Sequence, residues 1–348
     1  MHVWIWISFV VFVLLMLALD LGVLNRKAHV IRAREALLWT LLCVALALVF
    51  NVLVYFMYEH NWLGIAENFG ARGPSDATAA AKMSDGWRAA LEFFTGWVIE
   101  YSLSLDNIFV IAIIFGYFRV PQQYQHRVLF WGILGALVMR GAMIWAGTEL
   151  ITRFFWMNYV FGAILILTAI KMLRSGEEEP EPDRNPLVRL ARRFYPVSPA
   201  FEGERFFTVV DGRKAMTPMF VALLVVESTD VLFAVDSIPA IFAITRDPFI
   251  VFTSNVFAIL GLRSLYFALA SLLDKFHYLK LSLVFLLAFV GVKMLLTHHY
   301  HLAAEVSLAI IVAILAVGIV ASVLRDRRRP RPPDDGGAGA AADSDAGI

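Results

Sequence analysis

Nine apolar stretches, most of them about 20 residues or longer, set the terms for what this chain of 348 residues can fold into. They run at about 3–24, 36–58, 89–116, 128–150, 154–173, 216–244, 250–273, 278–296 and 303–324. Inside a bilayer there is no water for backbone N–H and C=O groups, so an isolated segment must satisfy them itself as a helix. With 59% hydrophobic residues, the expected fold class is all-α, a polytopic membrane protein with about nine transmembrane helices. The first stretch has no basic head and no small-x-small site after it, so it reads as a span rather than a cleaved leader.

Two of these stretches carry clusters of carboxylates. The first holds Glu100-Tyr-Ser-Leu-Ser-Leu-Asp106-Asn107-Ile108, and the second Asp230-Val-Leu-Phe-Ala-Val-Asp236-Ser237-Ile238, with Glu227 just upstream. A charged side chain at the centre of a bilayer costs about 2.5–3.5 kcal/mol on the lenient insertion scale, so five facing lipid would cost roughly 12–18 kcal/mol. They must face protein, water or a bound cation. Two apolar stretches also bear an arginine, Arg140 and Arg263.

The shared form (acid, five residues, Asp, small polar, Ile) extends to an internal repeat. Leu-Val-Met-Arg140-Gly in the fourth span answers Leu-Gly-Leu-Arg263-Ser in the seventh, and Ala-Ile-Lys171-Met-Leu answers Gly-Val-Lys293-Met-Leu. Spans 3–5 (89–173) therefore pair with spans 6–8 (216–296). Three is odd, so the second unit enters the membrane upside down, as in the inverted repeats of many secondary transporters. Spans 1, 2 and 9 (303–324) are peripheral. Spans 3 and 6 are each longer than a bilayer needs, which predicts a steep tilt or an interruption near the carboxylates, with Pro239 favouring an interruption in span 6.

Basic residues favour alternate loops: Arg26, Lys27, Arg32 and Arg34; then the loop 174–214; then the tail after Arg325. The positive-inside rule puts the N-terminus outside and the C-terminus in the cytoplasm. The long loop opens with an acidic, Pro-rich run from Glu177. A basic amphipathic stretch, 187–195, follows, either lying on the inner leaflet or serving as a solvated linker. Asp211-Gly212 between short apolar runs predicts a small hairpin before span 6. The tail 326–348 has the composition of a disordered segment. Cys43 is the only cysteine, which excludes an intrachain disulfide and a thiolate metal site. The basic residues serve topology, so no nucleic-acid partner is expected. His298, His299 and His301 read as exposed loop residues, Glu92 as snorkelling toward the outer interface, Asp20 as interfacial, and Asn51 as an interhelical hydrogen bond.

Five acids against two arginines leave three negative charges unmatched if all are ionised. Protons or a metal cation must balance them. Carboxylates with Asn107, Asn255 and Ser237 offer oxygen ligands, which suit Mg²⁺, Ca²⁺ or Mn²⁺. The candidate metal ligands are Asp106, Asp236, Glu100, Asp230, Glu227, Asn107 and Asn255, with Arg140 and Arg263 as gating or charge-pairing groups. Residues six apart differ by roughly 240° on an ideal helix, so Glu100 and Asp106 share a site only across a break; otherwise their roles are divided. Buried ion pairs that merely hold helices together remain the competing reading. An intramembrane aspartyl protease is disfavoured by the missing Gly-x-Gly-Asp motif. No phosphate-binding loop suggests ATP drive, and no enzymatic activity or permanently bound cofactor is expected.

The blocks Ala-Met-Thr217-Pro218, Glu227-Ser-Thr-Asp230-Val-Leu-Phe-Ala-Val-Asp236-Ser237-Ile238-Pro239-Ala240 and Ser254-Asn255-x5-Gly261-Leu262-Arg263-Ser264, with Glu100-x5-Asp106-Asn107, resemble the TerC/Alx family of bacterial membrane proteins over residues 1–325. The resemblance implies a transporter of the LysE-like group in the bacterial inner membrane, associated with tellurium resistance and Mn²⁺ efflux. It implies a site at Asp106, Glu227, Asp230 and Asp236, with Mn²⁺ as the transported ion and protons as a counter-ion. The alternative is a non-transporting membrane partner in metal or tellurite stress. Protein partners are not legible.

Overall fold

The computed structural model describes residues 3–19, 33–66, 69, 84–154, 156–174, 185–199, 201–210, 212–269, 278–296, 302 and 304–328. The side chains of a few helical residues, Asp106 and Arg263 among them, lie outside that description. So do Asp20, the acidic run from Glu177, the three loop histidines and the tail beyond Arg328, whereas residues 326–328, expected to be disordered, continue the last helix.

The described chain is helical, with one two-stranded hairpin. In order come α1 (Val3–Leu19), α2 (Ala33–Glu59), α3 (Asp85–Tyr117), α4 (Gln122–Arg153), α5 (Met157–Arg174), α6 (Pro186–Phe194), β1 (Phe207–Val210), β2 (Arg213–Met216), α7 (Pro218–Phe242), α8 (Pro248–Leu269), α9 (Leu279–Leu296) and α10 (Ala304–Arg328). Among the described residues seven helices are long and apolar enough to cross a membrane: α2, α3, α4, α5, α7, α8 and α10. The apolar helices α1 and α9 are shorter, and the nine together overlie the nine stretches seen in the sequence. The fold is an all-α polytopic membrane protein. Large apolar side chains stand exposed on its outside, such as Leu38, Leu41, Val49 and Val52 of α2 and Val138 and Trp145 of α4. In water such a belt would drive aggregation, whereas lipid solvates it.

Both acidic clusters lie on unbroken helices. α3 runs 33 residues, begun by Ser84, whose hydroxyl accepts from Trp87 N, and ended where Arg119 turns left-handed at φ 52°. The expected interruption at Pro239 is absent: α7 passes through it and ends at Phe242. A proline removes the bond its own nitrogen would make to the carbonyl four residues back and crowds that carbonyl, and here the helix runs only three residues past it, so little helix lies beyond the disturbed turn.

Packing is exchanged between the triads. α3 lies chiefly against α8, α7 against α4, and α5 along α9. Swapping α3–α4–α5 with α7–α8–α9 turns these pairings into one another. The α5–α9 contact is close because glycines face each other. A Cβ added at Gly162 would sit 3.0 Å from the carbonyl oxygen of Gly291. α1 and α2 attach to α8 through an aromatic cluster that includes Phe9, Phe50, Phe249 and Phe257.

The hairpin forms where Asp211-Gly212 predicts it, with Val210 opposite Arg213 and Gly212 at φ 74°. The amphipathic stretch is not a free linker. α6 is capped by Asn185, whose Oδ1 accepts from Leu187 N and Val188 N. Its Val188 is fully buried in the cluster that includes Val221, Ala222 and Val225 of α7. Asn185 Nδ2 donates to Ser228 Oγ at 2.5 Å, about 15 Å along α7 from its first residue at 1.5 Å per residue. α6 thus lies along the first half of α7 and brings its N-terminus beside the residues that carry Glu227 and Asp230.

Candidate functional site

Arg140 of α4 is the hub. Only 2% of it is exposed, and it spends its donors on three other helices. Nε donates to Asp230 Oδ2 at 3.2 Å and Nη2 to Asp230 Oδ1 at 3.1 Å, a two-pronged clasp suited to a planar guanidinium. Nη1 donates to Glu100 Oε1, to Asn255 Oδ1 at 2.8 Å and to Ser237 Oγ at 3.3 Å. The first acids of the two clusters, Glu100 and Asp230, thus meet at one cation, with the small polar residue of the second cluster and an amide from α8.

This satisfies the site only in part. Glu100 is fully buried, yet its Oε2 has no hydrogen-bond partner among the described residues. Two carboxylates around one guanidinium leave one negative charge over if both are ionised. An unpaired buried charge is the costly arrangement, so the open oxygen calls for a proton, water or a cation. Beside the hub lies a cavity of about 30 Å³, polar at Asn107, Thr229 and Asp230 and otherwise lined by apolar side chains such as Ile111, Leu129 and Phe233. That is room for about two waters.

The second acids go elsewhere. Asp236 is turned away from Arg140 and accepts from Thr168 Oγ1 of α5 at 2.7 Å, with the charge of Lys171 in the same neighbourhood. With α7 unbroken, the six-residue spacing divides the roles of Asp230 and Asp236 instead of uniting them. Asp106 stands at the corresponding place on α3, and its side chain and that of Arg263 lie outside the described residues. Glu227 is half-buried and lies over Gly135 of α4, where a Cβ would meet its Oε1 at 2.0 Å. Of the seven candidate ligands, Glu100, Asp230 and Asn255 are brought together at Arg140, Asn107 joins them through the cavity, Glu227 lies one turn before Asp230 within reach of its charge, and Asp236 stands apart. Among the described residues no three acidic, histidine or cysteine side chains form a ready metal site.

Glu92 corrects the snorkelling reading. It is 4% exposed and paired with Arg88, Oε1 to Nε at 3.0 Å. The partner was visible in the sequence as an i,i+4 pair on α3. The buried Oδ1 of Asn51 takes no part in the expected interhelical hydrogen bond among the described residues. Thr168 and Gly135 were missed outright. Thr168 stands one turn before Lys171, but nothing in its own sequence context marks it as facing Asp236.

Residues 85–330 match the integral membrane protein TerC family. An uncharacterized membrane protein of Myxococcus xanthus is 49% identical over 331 residues, 95% of each chain. A Salmonella typhi protein named as a membrane-bound redox modulator, Alx, is 42% identical over 94% of this chain and 96% of its own. The Escherichia coli K12 protein of the same name is 42% identical over 91% and 93%. No solved structure matches the chain. With most of its length matched by the family and by relatives of nearly equal extent, the chain belongs to the TerC family of integral membrane proteins.

Proposed function

We propose that the protein exports a divalent cation, Mn²⁺, across the bacterial inner membrane, in exchange for protons, through a carboxylate site between two inverted halves. The observation that carries this reading is the open Oε2 of fully buried Glu100, in a site where two carboxylates share one arginine. The exchanged packing of the two triads supports the inverted arrangement. The donors at hand are carboxylate, amide and hydroxyl oxygens, the ligand class that suits Mn²⁺, Mg²⁺ and Ca²⁺.

In this reading Arg140 is the resident counter-charge. An ion that reaches Asp230 through the cavity, stripped of most of its water, competes with the guanidinium for the same oxygens, and protons take the ion's place after release. Asp236 and Asp106, off the hub, hold the ion on its way in or out. The N-terminus lies outside and the tail in the cytoplasm.

The test is Mn²⁺ flux in vesicles holding the purified protein alone. A proton gradient should drive Mn²⁺ against its own gradient, and Asp106→Ala and Asp236→Ala should each abolish flux. Wild-type flux in both variants would remove these residues from the site.

The name carried by the Alx relatives favours a second reading, a membrane partner that does not itself transport. With Cys43 as its only thiol, one chain cannot close a disulfide, so an effect on redox balance would have to come through an ion or a partner. Purified protein that moves no ion but retains a stoichiometric partner would establish that reading.

A further inference from the structure

Three buried polar atoms on α3 lack a hydrogen-bond partner among the described residues: Trp97 Nε1, Glu100 Oε2 and Ser104 Oγ. Their residues, with Asn107, fall at i, i+3, i+7 and i+10, within roughly 80° of one face at 100° per residue. From Trp97 to Asn107 is about 15 Å along the axis. Ser104 is 1% exposed and Glu100 fully buried, so bulk solvent cannot satisfy them. Native interiors rarely leave such groups unmet, and several in one row point to a shared polar occupant. At the Asn107 end the row runs into the cavity beside Asp230. Most serines and threonines in these helices bond back to a carbonyl of their own helix, as Ser102 does to Val98 O at 2.6 Å. Ser104 does not. At the repeat offset that pairs Glu100 with Asp230, its counterpart on α7 is Ala234, so the hydroxyl at this level belongs to the first half alone.

We propose that Ser104, with Glu100 Oε2 and Asn107, forms the wall of a narrow polar track along α3, through which a divalent cation that has shed most of its water passes between the Asp230 cavity and Glu100. This rests on the export reading and names a residue of its path. The hydroxyl replaces one water of the ion's shell, and the free carboxylate oxygen draws the cation along the row.

The single native cysteine gives a direct test. In a Cys43→Ala background, Ser104→Cys is placed in vesicles of both orientations and treated with a cationic, membrane-impermeant thiol reagent that attacks only hydrated thiolates. Ile99→Cys, fully buried in an apolar cluster on another face of α3, is the control. The expected result is reaction at position 104 at least tenfold faster than at 99, slowed severalfold by Mn²⁺, with the melting temperature of the background retained. Reaction no faster than the control in either orientation overturns the track, while leaving wild-type Mn²⁺ flux as separate evidence for export. Fast reaction that Mn²⁺ does not slow overturns the passage of the cation along it. Absent wild-type flux would instead overturn the export reading.

Discussion

Arg140 Nη2 donates to Asp230 Oδ1 at 3.1 Å across 90 residues of sequence, while Nη1 of the same guanidinium reaches Glu100, 40 residues back. One buried cation therefore joins the first acid of each cluster and pins α3, α4 and α7 at one level. Arg140→Ala strands both carboxylates and should destabilise the protein by about 3–5 kcal/mol, the usual effect of breaking a buried pair. Arg140→Lys keeps the charge but loses the two-pronged clasp and should fall between. Adding Glu100→Gln to Arg140→Ala should recover about 0.5–3 kcal/mol, since the two residues are directly coupled. Thermal unfolding in detergent measures all three, and an Arg140→Ala variant that melts like wild type would dissolve the hub.

Gly135 and Gly132 make a matched pair on α4. A methyl at Gly135 collides with Glu227 Oε1, whereas at Gly132 it meets Val226 Cγ1 at an ordinary 3.4 Å. Gly135→Ala should cost little stability, because the atoms in its way are the far end of a flexible side chain, but should lower Mn²⁺ flux by displacing Glu227. Gly132→Ala should be close to neutral in both. Equal effects at the two positions would mean that Glu227 is not held where it lies.

Thr168→Val removes the hydrogen bond to Asp236 while keeping the shape of the side chain. A bond of this kind contributes about 1 kcal/mol at a half-buried carboxylate. Mn²⁺ flux should fall several-fold, and Thr168→Ser should restore it. Unchanged flux in Thr168→Val would make the contact structural only.

Asn185 has two separable jobs. Asn185→Ala loses both the helix cap and the bond to Ser228, and should loosen α6 by about 1 kcal/mol or more. Asn185→Asp keeps the cap and loses only the Nδ2 donor. Hydrogen exchange over residues 186–194 should rise in both, and more in the alanine variant. If exchange is the same in Asn185→Asp as in wild type, the Ser228 contact does not hold α6 on α7.

The helices, the hairpin and the pairing of acidic clusters were legible because composition, turn chemistry and spacing each encode them locally. The division of labour within a cluster was half legible. Six-residue spacing ruled out a shared face on a straight helix, but Pro239 pointed to a break, and only the position of Phe242 as the last helical residue shows why none is needed. The docking of α6 shows chiefly at Val188 and Asn185, too few residues to stand out in a nine-residue segment. Ser104 was invisible because its distinction is a bond it does not make.

Synthesis runs from the N-terminus, and that order bears on the hub. Glu100 and Arg140 belong to neighbouring helices and can meet once α4 has entered the membrane. Asp230 arrives much later, after the long loop 174–214. The first acid thus has its counter-charge early, and the second is delivered into a socket already wired with a guanidinium, an arrangement that would spare the inserting chain a lone carboxylate in lipid at either stage. A chain halted after α5 should therefore hold the Glu100–Arg140 pair but lack α7 and α8, the helices against which α4 and α3 chiefly pack.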